Sequence, residues 1–279
     1  MDARRDMKQG VAKRHRLSTR IWHWLNACVA TILLMSGLMI FNAHPQLYWG
    51  DFGARHDYAW LQIDDTRTTG FVRIGNTSVE TTGVLGLSLD AKDNVRRVAF
   101  PGWATIPTGY DLAAARRWHF AFAWVFAFGL TAFMLISLVN GHIRKDLHVR
   151  RAEWSPRALW RAIKNHAQLR FGDDNGLSHY NILQKFSYIG VIFLLLPLLI
   201  LTGITMSPAM NAAWPWLLDI FGGRQSARSL HFIAAALLTL FVVVHLIMVL
   251  LSGPINGIWS MITGRHVIKS KPEAVGDLA

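Results

Sequence analysis

One cysteine, Cys28, in a chain of 279 residues excludes a disulfide framework, a Cys-x-x-Cys redox pair and the thioether attachment of a c-type haem. No iron–sulfur, flavin or pterin-binding motif is present either. Charge is the second scarcity. Asp, Glu, Lys and Arg make up 16% of the chain against 52% hydrophobic residues, and the shortage is local. Four segments, 21–41, 118–139, 186–206 and 230–251, contain no charged residue at all. Each has 21 or 22 residues, enough to cross a hydrocarbon layer of about 30 Å as a helix. Acidic residues are few as well, 17 against 29 basic, for a net charge of +12. In a soluble protein that balance would suggest nucleic acid. Here nearly two thirds of the basic residues flank the spans on one side, so the class is integral membrane protein and nucleic acid is set aside. No internal repeat of useful strength is visible.

Four spans put both termini on the same side. Seven basic residues precede or open the first span, nine lie in 140–185 and three follow the last span, whereas 42–117 holds eight basic against eight acidic residues. Positive flanks are retained in the cytoplasm, so both termini are expected there. The basic leader and first span are too long for a signal peptide and lack a small-residue cleavage site. The division is then a basic cytoplasmic tail (1–19), disordered until it meets headgroups; a first span (20–41); a periplasmic insert (42–115); a second span (116–139); and a cytoplasmic loop (140–185). A third span (186–206), a periplasmic loop (207–227), a fourth span (228–251) and a cytoplasmic tail (252–279) complete it. The insert has alternating runs at 70–74 and 84–89 with Gly, Asn and Pro punctuation, which predicts a small cap of short strands. Residues 156–166, and again 255–263, read as interfacial helices. Pro197 removes a backbone donor from the third span and predicts a kink there.

The chemistry rests on histidine. His231 and His245 stand fourteen residues apart in one span, close to four helical turns, so both leave the same face about 21 Å apart along the axis. Ionisable groups inside a membrane default to a functional reading, and neutral imidazole is a good axial ligand for haem iron. Depth sets the pairing. His23 opens the first span on the inner side and His119 opens the second on the outer side, so His119 pairs with His231 and His23 with His245. Four histidines make two bis-imidazole sites on different helices, with none left over, and point to two b-type haems. A haem held by two imidazoles has no open position, so it moves electrons. Arg20, Arg116, Arg117 and Arg228 lie beside these histidines and are candidates for the propionates, although flanking positive charge is also ordinary in a membrane protein.

The four spans, the Arg20–Trp24 run, the Arg116–His119 run and the fourteen-residue histidine pair together resemble the bacterial cytochrome b-561 and Ni/Fe-hydrogenase b-type cytochrome family. Phe41–Trp49, Phe100–Thr105 and Trp214–Arg228 are most similar to thiosulfate-reductase-type cytochrome b subunits, with the membrane subunit of formate dehydrogenase as a relative. The resemblance implies ligands from the first, second and fourth helices and a quinone exchanging electrons with the inward haem. It also implies a quinone-site loop at Tyr180, Asn181, Gln184 and Lys185. Those amide and ammonium groups suit a quinone carbonyl, and suit a plain helix start equally.

The expected fold is therefore an all-α integral membrane bundle, four transmembrane helices around two haems, with a small periplasmic insert between helices one and two. Its expected function is electron transfer between the quinone pool and a periplasmic redox subunit, of the molybdopterin- or iron–sulfur-containing kind, with lipid as the surrounding partner. Two rivals stand beside it. One is a self-contained haem enzyme acting on a small external species such as superoxide, drawn in by Arg116, Arg117, Arg224 and Arg228. The other is a haem-free membrane anchor.

Overall fold

The computed structural model describes residues 10–13, 16–54, 56–139, 182–251 and 254–268, with positions 160 and 164. Strand β1, Gly10–Lys13, lies within the tail expected to be unstructured. Helix α1, Leu17–Phe41, then starts four residues before the uncharged run. Nothing opposes the early start: Leu17, Ser18 and Thr19 tolerate helix, and the tail has an ordered partner, described below.

Between α1 and the second span lies a β cap. Strands β2 (Gln46–Leu47), β3 (Leu61–Asp65), β4 (Gly70–Ile74) and β5 (Thr77–Glu80) form an antiparallel sheet in sequence order. A hairpin of β6 (Gly86–Leu89) and β7 (Val95–Val98) lies beside it. Gly86 takes φ +77°, and a side chain there would strike the Asp64 carbonyl, so this crossing requires glycine. The alternating strands turn Leu61, Ile63 and Val72 inward, and their core includes Phe41 from the end of α1, Ala99, Phe100 and Phe232. The cap and the bundle therefore share one apolar core at this end.

Helix α2, Leu112–Val139, is the second span. The third is composite: α3 (Ile182–Ile189), one π-helical turn over Gly190–Leu195, and α4 (Leu196–Met206). Just ahead of Pro197 the backbone is irregular, and the Leu196 N–H bonds the Val191 carbonyl five residues back. Such a turn inserts a residue and spares the backbone groups that proline would orphan. Short helices α5 (Pro208–Ala213) and α6 (Pro215–Ile220) lead into α7 (Arg224–Leu251), the fourth span, and then α8 (Pro254–Thr263). All four spans meet the length and hydropathy of membrane-crossing helices. Val29, Phe126, Leu130 and Leu196 are buried where α1, α2 and α4 meet, with Leu238 of α7 against them; the outward faces stay apolar and exposed, as lipid contact requires.

Strand β8, Arg265–Ile268, pairs antiparallel with β1, so the two terminal segments meet at the end of the bundle away from the cap. The 140–181 segment, including all but two positions of the expected interfacial helix at 156–166, lies outside the described residues.

The cap is fastened to the start of α7. The Gly50 carbonyl accepts from the Gln225 and Ser226 N–H groups at 3.0 and 3.1 Å, two of the donors a helix start leaves unpaired. Ser226 Oγ accepts from the Gly50 N–H at 2.7 Å. Ser229 Oγ donates to the Tyr48 carbonyl at 2.6 Å and accepts from Trp60 Nε1 at 2.9 Å. Arg228 donates to the Gln46 carbonyl at 2.8 Å and to the His44 carbonyl, with its guanidinium 5.5 Å from the Phe41 ring centre.

Candidate functional site

His119 is the eighth residue of α2 and His231 the eighth of α7, and both helices enter the bundle from the cap. Equal depth brings their rings together, 6.3 Å between centroids at an interplanar angle of 64°. At the other end His23, the seventh residue of α1, faces His245, seven from the end of α7, at 6.4 Å and 60°. The pairing by depth is the pairing in space. A metal-bound imidazole nitrogen lies about 2.0–2.1 Å from its metal, so two rings that shared one metal would stand about 6 Å apart between centres. Both pairs have that spacing. Among the described residues no cluster of three or more His, Cys, Asp or Glu exists. Each pair therefore offers two nitrogen donors and nothing further, a set suited to a metal whose remaining positions are filled by a macrocycle.

The pair at the cap end is held by neighbours that fix its tautomers. His231 Nδ1 lies 2.9 Å from Thr202 Oγ1, and that hydroxyl, fully buried, also lies 2.6 Å from the Leu198 carbonyl. A hydroxyl has one proton, and the carbonyl can only accept, so Thr202 donates to Leu198 and accepts from the His231 Nδ1–H. His119 Nδ1 lies 3.1 Å from the Leu33 carbonyl and 3.1 Å from Ser36 Oγ, whose proton goes to the Ile32 carbonyl at 2.6 Å. Nδ1 must again be the donor. Both histidines of this pair thus keep Nε2 as the free lone pair, assigned from the hydrogen-bond network.

Glycines back the same two rings. A Cβ on Gly37 would stand 3.3 Å from His119 Cε1, and one on Gly203 3.4 Å from His231 Cε1. The device is repeated. Ser36-Gly37 of α1 holds the histidine of α2, and Thr202-Gly203 of α4 holds the histidine of α7. The hydroxyl-glycine step, recurring in two spans, was the sequence signal for these supports, but Ser, Thr and Gly are common small residues in membrane helices and neither step alone stands out. Span three, which has no histidine, thereby contributes to the site.

The four arginines differ. Arg116 and Arg117 are exposed at the start of α2. Arg20 is half-buried and donates from Nε to the Met261 carbonyl at 3.3 Å, tying α1 to α8. Arg228 is engaged by the cap carbonyls of His44 and Gln46. Tyr180 and Asn181 lie outside the described residues, and Gln184 and Lys185 are described only as backbone of α3.

Residues 14–264 match the family described as prokaryotic cytochrome b561. A protein of Azospira oryzae that carries the provisional name of a protein-methionine-sulfoxide reductase subunit, YedZ1, is 25% identical over 232 residues, which are 83% of this chain and 87% of that protein. No solved structure matches.

Proposed function

We propose that this chain, which belongs to the prokaryotic cytochrome b561 family, holds two b-type haems and relays single electrons across the membrane between a quinone and a redox subunit on the cap side. Membership makes it a membrane cytochrome b of electron transport; the haem count, the quinone and the partner are proposals. The observation that carries it is the pair of imidazole pairs, 6.3 and 6.4 Å across, at the two ends of one bundle.

His119 and His231 would hold the outer haem, and His23 and His245 the inner one. When bound between two imidazoles, each haem supplies a one-electron couple with no vacant position for oxygen or substrate. The chain's own part is orientation and insulation. Ser36, Leu33 and Thr202 aim the outer rings through Nδ1, Gly37 and Gly203 leave room beside them, and the apolar spans surround both sites. Fourteen residues of α7 separate the two levels by about 21 Å.

The excess of basic residues beside the inner ends supports cytoplasmic termini and an outward cap, in a bacterial inner membrane. The relative is named as a subunit of a reductase, which supports a partner that holds the substrate site while this chain delivers electrons. The quinone reading rests on the resemblance of the Tyr180–Lys185 run and places quinone exchange at the inner haem. Exposed Arg116 and Arg117 suit propionates at the outer surface better than Arg228, whose guanidinium already serves the cap.

The test is a reduced-minus-oxidised spectrum with haem stoichiometry for the purified chain and for single His→Ala variants. Two low-spin b haems are expected, with H119A and H231A each losing the outer one and H23A and H245A the inner one. Loss of the same haem from H23A and H119A would overturn the pairing, and a haem-replete preparation with none would overturn the function.

A further inference from the structure

Among the described residues His23 of the inner pair lacks the support that both outer histidines have. His119 and His231 each place Nδ1 on a hydroxyl or carbonyl, whereas His23 Nδ1 is buried and has no partner among the described residues. One further buried atom of α1 is in the same condition: the side-chain oxygen of Asn26. Positions three apart on a helix are neighbours on one face. A ring nitrogen and an amide oxygen, both buried and both unpaired, are therefore neighbours on one face of an apolar span, where unsatisfied polar groups carry the heaviest penalty. An imidazole that binds metal through one nitrogen regularly donates the other N–H to an oxygen acceptor, which fixes the ring and raises its basicity. Asn26 is deeper in the span than His23 and on its face, and its amide oxygen is the acceptor on hand.

We propose that Asn26 is the positioning residue of His23, its amide oxygen accepting the imidazole Nδ1–H through one bridging water. A single water spans neighbouring side chains that do not touch directly, and a polar site with two unpaired groups is where buried water resides. The outer haem would thus be tuned by direct hydrogen bonds to protein and the inner haem by a relayed one. The inference rests on the two-haem reading and goes beyond it, giving a role to a residue that binds nothing itself.

The experiment is a redox titration of the full-length protein in detergent, following each haem by its low-spin electron paramagnetic resonance signal, for wild type, N26L, N26Q and N26D. Removing the acceptor makes His23 a weaker donor to ferric iron, so N26L should raise the inner midpoint potential or loosen the inner haem, leaving the outer one unchanged. N26Q should retain most of the wild-type value, and N26D, a charged acceptor, should lower it. Should N26L fail to accumulate, the N26D shift decides. Two haems with an inner signal and potential indifferent to N26L or N26D would overturn the role of Asn26 alone. Equal shifts of both haems would do the same, since a general loosening of the bundle has no preference. A wild-type protein without an inner haem would instead overturn the two-haem reading beneath it.

Discussion

Replacing Thr202 by valine removes one hydroxyl and keeps the branched shape. Thr202 is fully buried and its oxygen accepts from His231 Nδ1 at 2.9 Å. The hydroxyl's other bond, to the Leu198 carbonyl at 2.6 Å, supplements an acceptor already engaged by the helix, so its loss costs little. The cost falls on the imidazole. A buried N–H left unpaired costs about 1–3 kcal/mol, which is about 5–150-fold in an equilibrium constant. Loss of a metal ligand's hydrogen-bond partner gives a similar figure, about 10–100-fold in affinity. T202V should therefore weaken haem binding at the outer site by about one to two orders of magnitude. T202S, which restores the oxygen, should recover it. The assay is haemin titration of haem-depleted protein, read by absorbance, with the inner site as internal control because it lies about 21 Å away along α7. Wild-type outer affinity and potential in T202V would refute the reasoning, since the hydroxyl would then be a packing group only.

Gly37→Val should expel the outer haem and spare the inner one, because even the first added carbon stands 3.3 Å from His119 Cε1 and two methyl groups follow it. Overpacking of this kind costs about 1–3 kcal/mol, and haem stoichiometry of the variant reads it. Arg228→Ala should free the cap: the His44 and Gln46 carbonyls lose a forked donor, at about 1–3 kcal/mol, and limited proteolysis should cleave near residues 44–58 faster than in wild type. Asp90, in the β6–β7 turn, is held down to about 2 by the Asn94 and Lys92 backbone N–H groups, with Arg96 adding its charge. Its folded value lies below its unfolded one, so the turn's stabilisation is complete above the ordinary carboxylate range and is lost as pH falls through about 2. A carboxyl chemical-shift titration midpoint near 4 would sink that assignment.

Much of the bundle was legible because its signals are local. A run without charge reads as a span by length alone, and the helices α1, α2 and α7 overlap the uncharged runs while extending several residues beyond them at one end. The cap's strands at 70–74 and 86–89 were visible as alternation. The order at 10–13 was not, because β1 exists only by pairing with β8, some 255 residues later, and no local pattern reports such a partner. The π turn was not visible in the sequence for a related reason. Proline announces a missing donor, but where the backbone takes up the slack depends on neighbouring helices.

The sequence by itself determined the spans, the four histidines and, through the direction in which each span is entered, which histidine meets which. These follow from one-dimensional quantities: length, charge and a rise of about 1.5 Å per residue. Tertiary structure alone decided what stands behind each ring. Ser36, Gly37, Thr202 and Gly203 reach histidines on other helices, 83 and 29 residues away for the two hydroxyls, and Arg228 reaches the cap carbonyls of His44 and Gln46. Helix rotation and packing set those contacts, and a side chain's partner across a helix interface depends on both surfaces at once, which neither segment specifies alone.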